Sequence, residues 1–202
     1  MADFSSPLKI AIAGGSGYCG GELVRLLLDH PNVDIHQVTS ERFAGKPVHK
    51  VHPNLRKATS LKFCSISDLG PCDLLFLSLP HGHAMEKIDF YRTLAPKIID
   101  LSGDFRLDSE SEYEKWYGHA HSCPEMLGEF VYGIPEINRD KIAGSDYVTG
   151  AGCNATATIL GLRPIFSRGL ADNAVVEVKA GSSEGGNRFS EASHHPERSG
   201  AV

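Results

Sequence analysis

The chain has 202 residues, 41% of them hydrophobic, with a formal net charge of -5, long enough for one full domain and the start of another and without the Lys/Arg block of a nucleic-acid or membrane partner. No apolar run approaches the roughly 20 residues that span a bilayer. The opening MADFSSPLK lacks the apolar core of a secretory signal, so a cytoplasmic location is expected. Cys19, Cys64, Cys72, Cys123 and Cys153 are scattered and form neither CxxC nor CxxH, which argues against a disulfide scaffold and a metal site.

In chain order, LKIAIA at 8–13 reads as a buried strand, GGSGYCGGEL as a glycine turn, and Leu23, Leu26 and Leu27 recur at helical spacing to about Asp29. Pro31 stops that helix, VDIHQV at 33–38 suits a second strand, and residues 39–60 read as loop. DLLFLSLP at 73–80 is apolar on both faces, as a central parallel strand must be. HGHAMEKIDFYRTL then reads as helix and KIIDLS at 97–102 as strand. After Asp108 the pattern becomes irregular: a short helix is expected at 109–117, then loop to Gly144. DYVTGAGCNATATILGLRPIF predicts a short strand, a glycine turn bearing Cys153 and a helix to about Phe166; AVVEVKAG at 174–181 predicts one more strand, followed by loop.

Strands alternating with helices predict an α/β fold: a Rossmann-like, doubly wound parallel sheet over residues 1–152, followed by the start of an α+β catalytic domain over 153–202. Gly15, Gly17 and Gly20 form GxGxxG, and Gly14, Gly17 and Gly20 an overlapping GxxGxxG, between strand and helix. Glycines there let backbone N–H groups and the positive end of a helix meet a pyrophosphate, so a dinucleotide is expected. A tight strand-to-helix turn is the plainer alternative. At the end of the second strand stand Ser40, Glu41 and Arg42. Glu41 suits a ribose hydroxyl, whereas Ser40 and Arg42 suit a 2′-phosphate; the balance favours NADP, against Arg42 as a solvated loop residue.

AGCNAT places Cys153 at the start of a helix, a setting that favours a thiolate nucleophile over a buried structural thiol. A thiolate beside a nicotinamide suggests attack on an activated acyl carbon, loss of the leaving group and hydride transfer to the thioester, which yields an aldehyde. A short-chain dehydrogenase would need YxxxK, and YRTLA at 91–95 lacks the lysine.

The segments GGSGYCGGEL, HPNL at 52–55, LPHG at 79–82, DLSGDFRL at 100–107, WYG at 116–118 and VYGIPEINR at 131–139, in this order, resemble N-acetyl-γ-glutamyl-phosphate reductase of arginine biosynthesis. That family usually has a PGCYPT-like sequence around its nucleophile. The variant AGCNAT, with KAGSSEGGNR and SHHPERSG, is similar to the lysine-biosynthesis branch, which reduces α-aminoadipyl 6-phosphate or glutamyl 5-phosphate attached to the carrier protein LysW. The resemblance implies that Gly14, Ser16, Gly17, Tyr18 and Cys19 meet the cofactor phosphates, Ser40 and Arg42 the adenosine ribose phosphate, and Pro80, His81, Gly185 and Gly186 the nicotinamide side. Arg106 and Asn154 are implied substrate contacts; for Arg106 a salt bridge to Asp104 or Asp108 is the equal alternative. A homo-oligomer, dimer or tetramer, is also implied. The family's acid/base histidine lies in an HRH-type motif soon after the SHHPERSG region, and this sequence ends at Val202. His194 and His195 are not expected to replace it. Two readings therefore stand: an NADPH-dependent acyl-phosphate reductase, or a non-catalytic NADP-binding module with a regulatory or scaffolding role.

Overall fold

The computed structural model describes residues 6–186. The chain divides into two compact units, Met1–Gly152 and Cys153–Val202.

In the first unit, β1 (Leu8–Ala13), β2 (Val33–Thr39), β3 (Phe63–Cys64), β4 (Leu74–Leu77), β5 (Lys97–Asp100), β6 (Val131–Gly133) and β7 (Tyr147–Gly150) form one sheet in the order β3-β2-β1-β4-β5-β7-β6. All six pairings are parallel. The order runs outward from the β1/β4 pair, where Ile10 faces Leu74 and Ala13 faces Leu77, through β2 and β3 on one side and through β5 on the other, with β7 inserted between β5 and the edge strand β6, so the chain reverses its direction of winding between β1 and β4.

Successive side chains of a strand point to opposite faces, and both faces of this sheet are covered. Ala11, Ala13, Leu75, Leu77 and Ile98 pack into one core with Ile88 and Tyr91 of α2 (Ile88–Leu94). Ile10, Ile12, Val38 and Phe76 pack into the other with Val24 of α1 (Tyr18–Leu27). The two helices thus lie on opposite faces, as expected of a doubly wound sheet. Each buried Leu or Ile stabilises by about 1.5–3 kcal/mol, whereas an exposed ion pair such as Lys97–Asp146, 2.7 Å apart, adds at most about 1 kcal/mol. The sheet core therefore dominates.

Three stretches differ from expectation. The helix read from His81 begins late: residues 81–84 form a turn, then a 3₁₀ turn Met85–Lys87, then α2. The stretch read as loop after the short helix, now α3 (Glu110–Tyr117), contains β6 and α4 (Pro135–Ala143), with proline at the helix start. In the second unit α5 (Cys153–Phe166) forms as expected, but AVVEVKAG is not a strand: no described residue pairs with it, and Val175, Val176 and Val178 are exposed. A strand is made by its ladder, and an unpaired apolar alternation is only the potential for one.

Candidate nucleotide and nucleophile site

The turn between β1 and α1 is shaped by what each glycine touches. Gly14 has φ +86°, and a Cβ there would lie 2.1 Å from the Ser78 carbonyl oxygen at the end of β4. A Cβ on Gly20 would lie 2.5 Å from the Gly14 oxygen, so the helix can sit this close only without one. Gly17 differs: the nearest atom to its Cβ position is 3.8 Å away, which leaves its face open to an approaching ligand. Tyr18 and Cys19, the exposed first residues of α1, follow it, and the N–H groups of a first helical turn have no acceptor within the helix. These features fit a dinucleotide pyrophosphate.

The turn is held from the end of β2. The Gly14 N–H donates to Thr39 Oγ1 at 3.1 Å, the Gly15 N–H to the Thr39 carbonyl at 2.9 Å, and buried Ser40 donates its hydroxyl to Ser16 Oγ at 2.9 Å. Two expected cofactor residues, Ser16 and Ser40, are thereby brought together. From the 39–60 region, His52 donates Nε2–H to the Gly15 carbonyl at 2.8 Å, and its ring fills the space that a Cβ on Gly21 would need. Neither Thr39 nor His52 was singled out for this role by sequence reasoning, although HPNL was noted as a motif.

Glu41 does not face this turn as a free carboxylate: its Oε1 accepts the Ile66 N–H at 2.7 Å. Arg42 is exposed, with its guanidinium 5.1 Å from the centre of the Phe43 ring, and Lys46 Nζ lies 5.4 Å from the same ring. The described contacts place two cations, and no unengaged acid, just beyond β2.

The loop after β4 is wrapped around one buried carboxylate. Asp104 accepts the N–H groups of Gly82 at 2.8 Å and of Ala84 and Met85 at 3.0 Å, which explains why the helix starts late: three N–H groups converge on an acid from the β5 loop. Exposed His81 accepts the Gly103 N–H on Nδ1 at 2.6 Å, so its proton resides on Nε2. Pro80 precedes it, exposed. His121, buried beneath, donates to the Asp104 carbonyl and accepts the Cys123 N–H; burial holds its pKa below the ordinary value.

Arg106 pairs with neither Asp104 nor Asp108 among the described residues. Its Nε donates to the Gly150 carbonyl at 2.9 Å and its Nη2 to the Leu101 carbonyl at 3.1 Å, which ties the exits of β7 and β5 together. Beneath it Asp100 is fully buried, accepting the Ser102 N–H and O–H. Burial pushes its pKa up to about 6, opposed by the Ser102 hydrogen bonds.

In the second unit Cys153 is the first residue of α5 and is exposed. Glu184, in a 3₁₀ turn Ser182–Gly185, accepts the Asn154 side-chain N–H at 2.6 Å and lies 3.8 Å from Cys153 Sγ. Gly185 closes that turn and Gly186 follows with φ +75°. Glu184 had no sequence signal beyond its place in KAGSSEGGNR. His194 and His195 lie outside the described residues.

Residues 9–145 match the family model described as semialdehyde dehydrogenase, NAD binding domain. The chain belongs to the semialdehyde dehydrogenase family. Residues 153–202 match the dimerisation domain of semialdehyde dehydrogenases. A Thermomicrobium roseum relative, assigned as a LysW-L-2-aminoadipate 6-phosphate reductase, is 52% identical over 198 residues, covering 96% of this chain and 56% of that protein. A Saccharolobus solfataricus relative named LysW-L-2-aminoadipate/LysW-L-glutamate phosphate reductase is 44% identical over 202 residues, covering 96% and 57%. These names belong to the branch to which AGCNAT and SHHPERSG pointed. The chain spans little more than half the length of these relatives. In fold it is similar to the crystal structure of aspartate semialdehyde dehydrogenase II from Vibrio cholerae, with a TM-score of 0.60 at 18% identity over 81% of this chain and 43% of that one. Among the described residues no helix is long and apolar enough to cross a membrane.

Proposed function

We propose that this semialdehyde dehydrogenase sequence serves a cytoplasmic, NADPH-dependent reduction of a LysW-linked acyl phosphate, α-aminoadipyl 6-phosphate or glutamyl 5-phosphate, to its semialdehyde in lysine or arginine biosynthesis. The observation that carries the reading is Cys153, exposed at the first position of α5 in GCNAT, in a chain whose relatives at 44–52% identity bear LysW-linked phosphate reductase names.

Gly14, Ser16, Gly17, Tyr18, Cys19 and Ser40 would hold the dinucleotide phosphates, with Arg42 and Lys46 meeting the 2′-phosphate that distinguishes NADP. Glu41, engaged with Ile66, supports NADP over NAD because a ribose-binding acid would need its carboxylate free. Pro80 and His81, with Gly185 and Gly186, are assigned to the nicotinamide side. When bound, the cofactor supplies hydride. The Cys153 thiolate attacks the acyl carbon, phosphate leaves with its electron pair, and the acyl group rests on sulfur as a thioester before reduction. Asn154 and Arg106 orient substrate, Arg106 through the one guanidinium nitrogen, Nη1, that makes no hydrogen bond among the described residues. The active form is a homo-oligomer, consistent with the dimerisation-domain match.

The test is phosphate-dependent reduction of NADP⁺ with LysW-linked aminoadipate semialdehyde and, separately, N-acetylglutamate semialdehyde, using this sequence carried in a chain of its relatives' full length. Turnover with the carrier-linked substrate is expected. Preference for the acetylated one would move the protein to the arginine branch, and silence with both despite NADPH binding would favour the non-catalytic module.

A further inference from the structure

We propose that His52 is a positioning residue for the dinucleotide: its hydrogen bond to the Gly15 carbonyl sets the orientation of the Gly15–Ser16 peptide in the turn that receives the pyrophosphate. The proposal rests on the reading of that turn as a dinucleotide site. Gly15 is clamped at both of its polar groups. Its N–H donates to the Thr39 carbonyl at 2.9 Å, and its carbonyl accepts His52 Nε2–H at 2.8 Å, from 37 residues along the chain. His52 is itself held in place. Its backbone N–H donates to the Val48 carbonyl at 3.0 Å and its carbonyl accepts the Leu55 N–H at 2.9 Å. Val48 and Leu55, on either side of it, are buried in the same core as Ile10 and Ile12 of β1 and Val38 of β2. The Phe63 ring of β3 meets the imidazole edge-on, with centroids 6.4 Å apart. On the other side a Cβ on Gly21 would lie 2.4 Å from His52 Cε1, so α1 leaves room for the ring only because that residue is glycine.

Gly15 has no Cβ to restrict its own backbone, so the direction of its carbonyl has to be set from outside. A carbonyl oxygen is the negative end of the peptide dipole, and the N–H of the same trans peptide points the opposite way. With the oxygen held on the His52 side, the other side of the turn is spared a negative pole. Were the peptide to turn over, that oxygen would stand where an anion is to be received and repel it. His52 thus acts on the phosphates through Gly15, without touching the ligand. The effect is confined to ligands that carry the pyrophosphate, which NADPH and NADH share. Adenosine 2′-monophosphate has the 2′-phosphate and the adenine but no 5′-phosphate, and so does not depend on this peptide.

The test is isothermal titration calorimetry of the full-length protein with NADPH, NADH and adenosine 2′-monophosphate. His52→Leu removes the donor and keeps side-chain bulk. His52→Gln places an amide N–H the same number of bonds from Cα as Nε2, and His52→Asn carries the same amide one bond short. Losing the donor leaves the Gly15 carbonyl without its partner, so affinity for NADPH and for NADH should fall alike, by about tenfold, in His52→Leu and His52→Asn. His52→Gln should stay within about threefold of wild type, because its N–H still reaches the carbonyl. Adenosine 2′-monophosphate should bind all three variants within about twofold of wild type, because the loss is confined to one hydrogen bond at the turn. Wild-type NADPH affinity in His52→Leu and His52→Asn overturns the proposal. So does equal weakening in His52→Gln and His52→Asn, which would make the ring's packing, not its hydrogen bond, the source of the effect. A parallel fall for adenosine 2′-monophosphate also overturns it, since His52 would then support the whole region and not the pyrophosphate turn. A folded wild-type protein that binds neither dinucleotide sinks the reading of the turn itself, and this proposal with it.

Discussion

Replacing Asp100 with asparagine should make the protein more stable at neutral pH and nearly unchanged, or slightly weaker, at pH 4. Asp100 ends β5 at 0% exposure, and burial raises its carboxyl from an ordinary 3.8 to about 6. Between those two values the unfolded chain ionises the group while the folded protein keeps it protonated, so the folded state binds more protons and stability falls as pH rises. The gap corresponds to a destabilisation of about 3 kcal/mol, complete above pH 6 and absent below the unfolded value. The amide introduced by Asp100→Asn has no charge to bury, and its carbonyl can still accept the Ser102 N–H; the weakened bond to the Ser102 hydroxyl costs about 1 kcal/mol. The net expectation is a gain of about 2 kcal/mol at pH 7.5 and a loss of up to ~1 kcal/mol at pH 4. Urea unfolding of both proteins, followed by far-ultraviolet circular dichroism at pH 4, 5, 6 and 7.5, measures the difference. Groups such as Asp68 and Glu125, whose lowered pKa values make them lose stability in acid, are common to both proteins and cancel. A difference that stays constant across pH would refute the reasoning, because it would mean that Asp100 is ionised, and accommodated, throughout.

Cys153→Ser should abolish turnover and leave NADPH affinity within about twofold by fluorescence titration, since the proposed cofactor contacts of the first unit do not include the thiol; equal loss of both would contradict the assignment. Arg42→Ala should weaken NADPH at least tenfold more than NADH, read as the ratio of the two dissociation constants, and parallel weakening would mean that the guanidinium meets no 2′-phosphate. Gly20→Ala places a methyl 2.5 Å from the Gly14 oxygen and 2.6 Å from Gly15 Cα. The backbone of the turn must move, so dinucleotide affinity should fall at least tenfold while far-ultraviolet dichroism is retained.

The elements legible in the sequence are those whose own residues determine them. β1, β4 and β5 are buried on both faces, and their apolar runs say so; α1 and α5 carry helical periodicity behind a glycine turn. β3 and β6, two and three residues long, have no pattern to read and exist because β2 and β7 offer them a ladder. α4 buries no residue, so the apolar stripe that usually announces a helix is missing and only Pro135 marks its start. At the site, the glycine turn and Cys153 stood out because their chemistry is local. Thr39, His52 and Asp104 act across 25, 37 and about 20 residues of chain, through hydrogen bonds that no spacing encodes.

Those long-range bonds join loops of the first unit that are widely spaced in sequence. In this all-parallel sheet the loops after β1, β4, β5 and β7 leave the same edge, the C-terminal ends of the strands, where ligands of such sheets gather. A loop at that edge has no ladder of its own, and each one here borrows rigidity from a neighbour. The β1 turn hangs on Thr39, the β4 turn on Asp104 from the β5 loop, and the β5 and β7 exits on the two hydrogen bonds of Arg106. A lysine in place of Arg106 has one nitrogen to offer two carbonyls and cannot reproduce that fork. Because a Cβ on Gly152 would already lie 3.2 Å from Arg106 Nη1, the guanidinium also restricts the residue that directly precedes Cys153. Arg106 therefore constrains the backbone as the chain leaves β7, from Gly150 to Gly152.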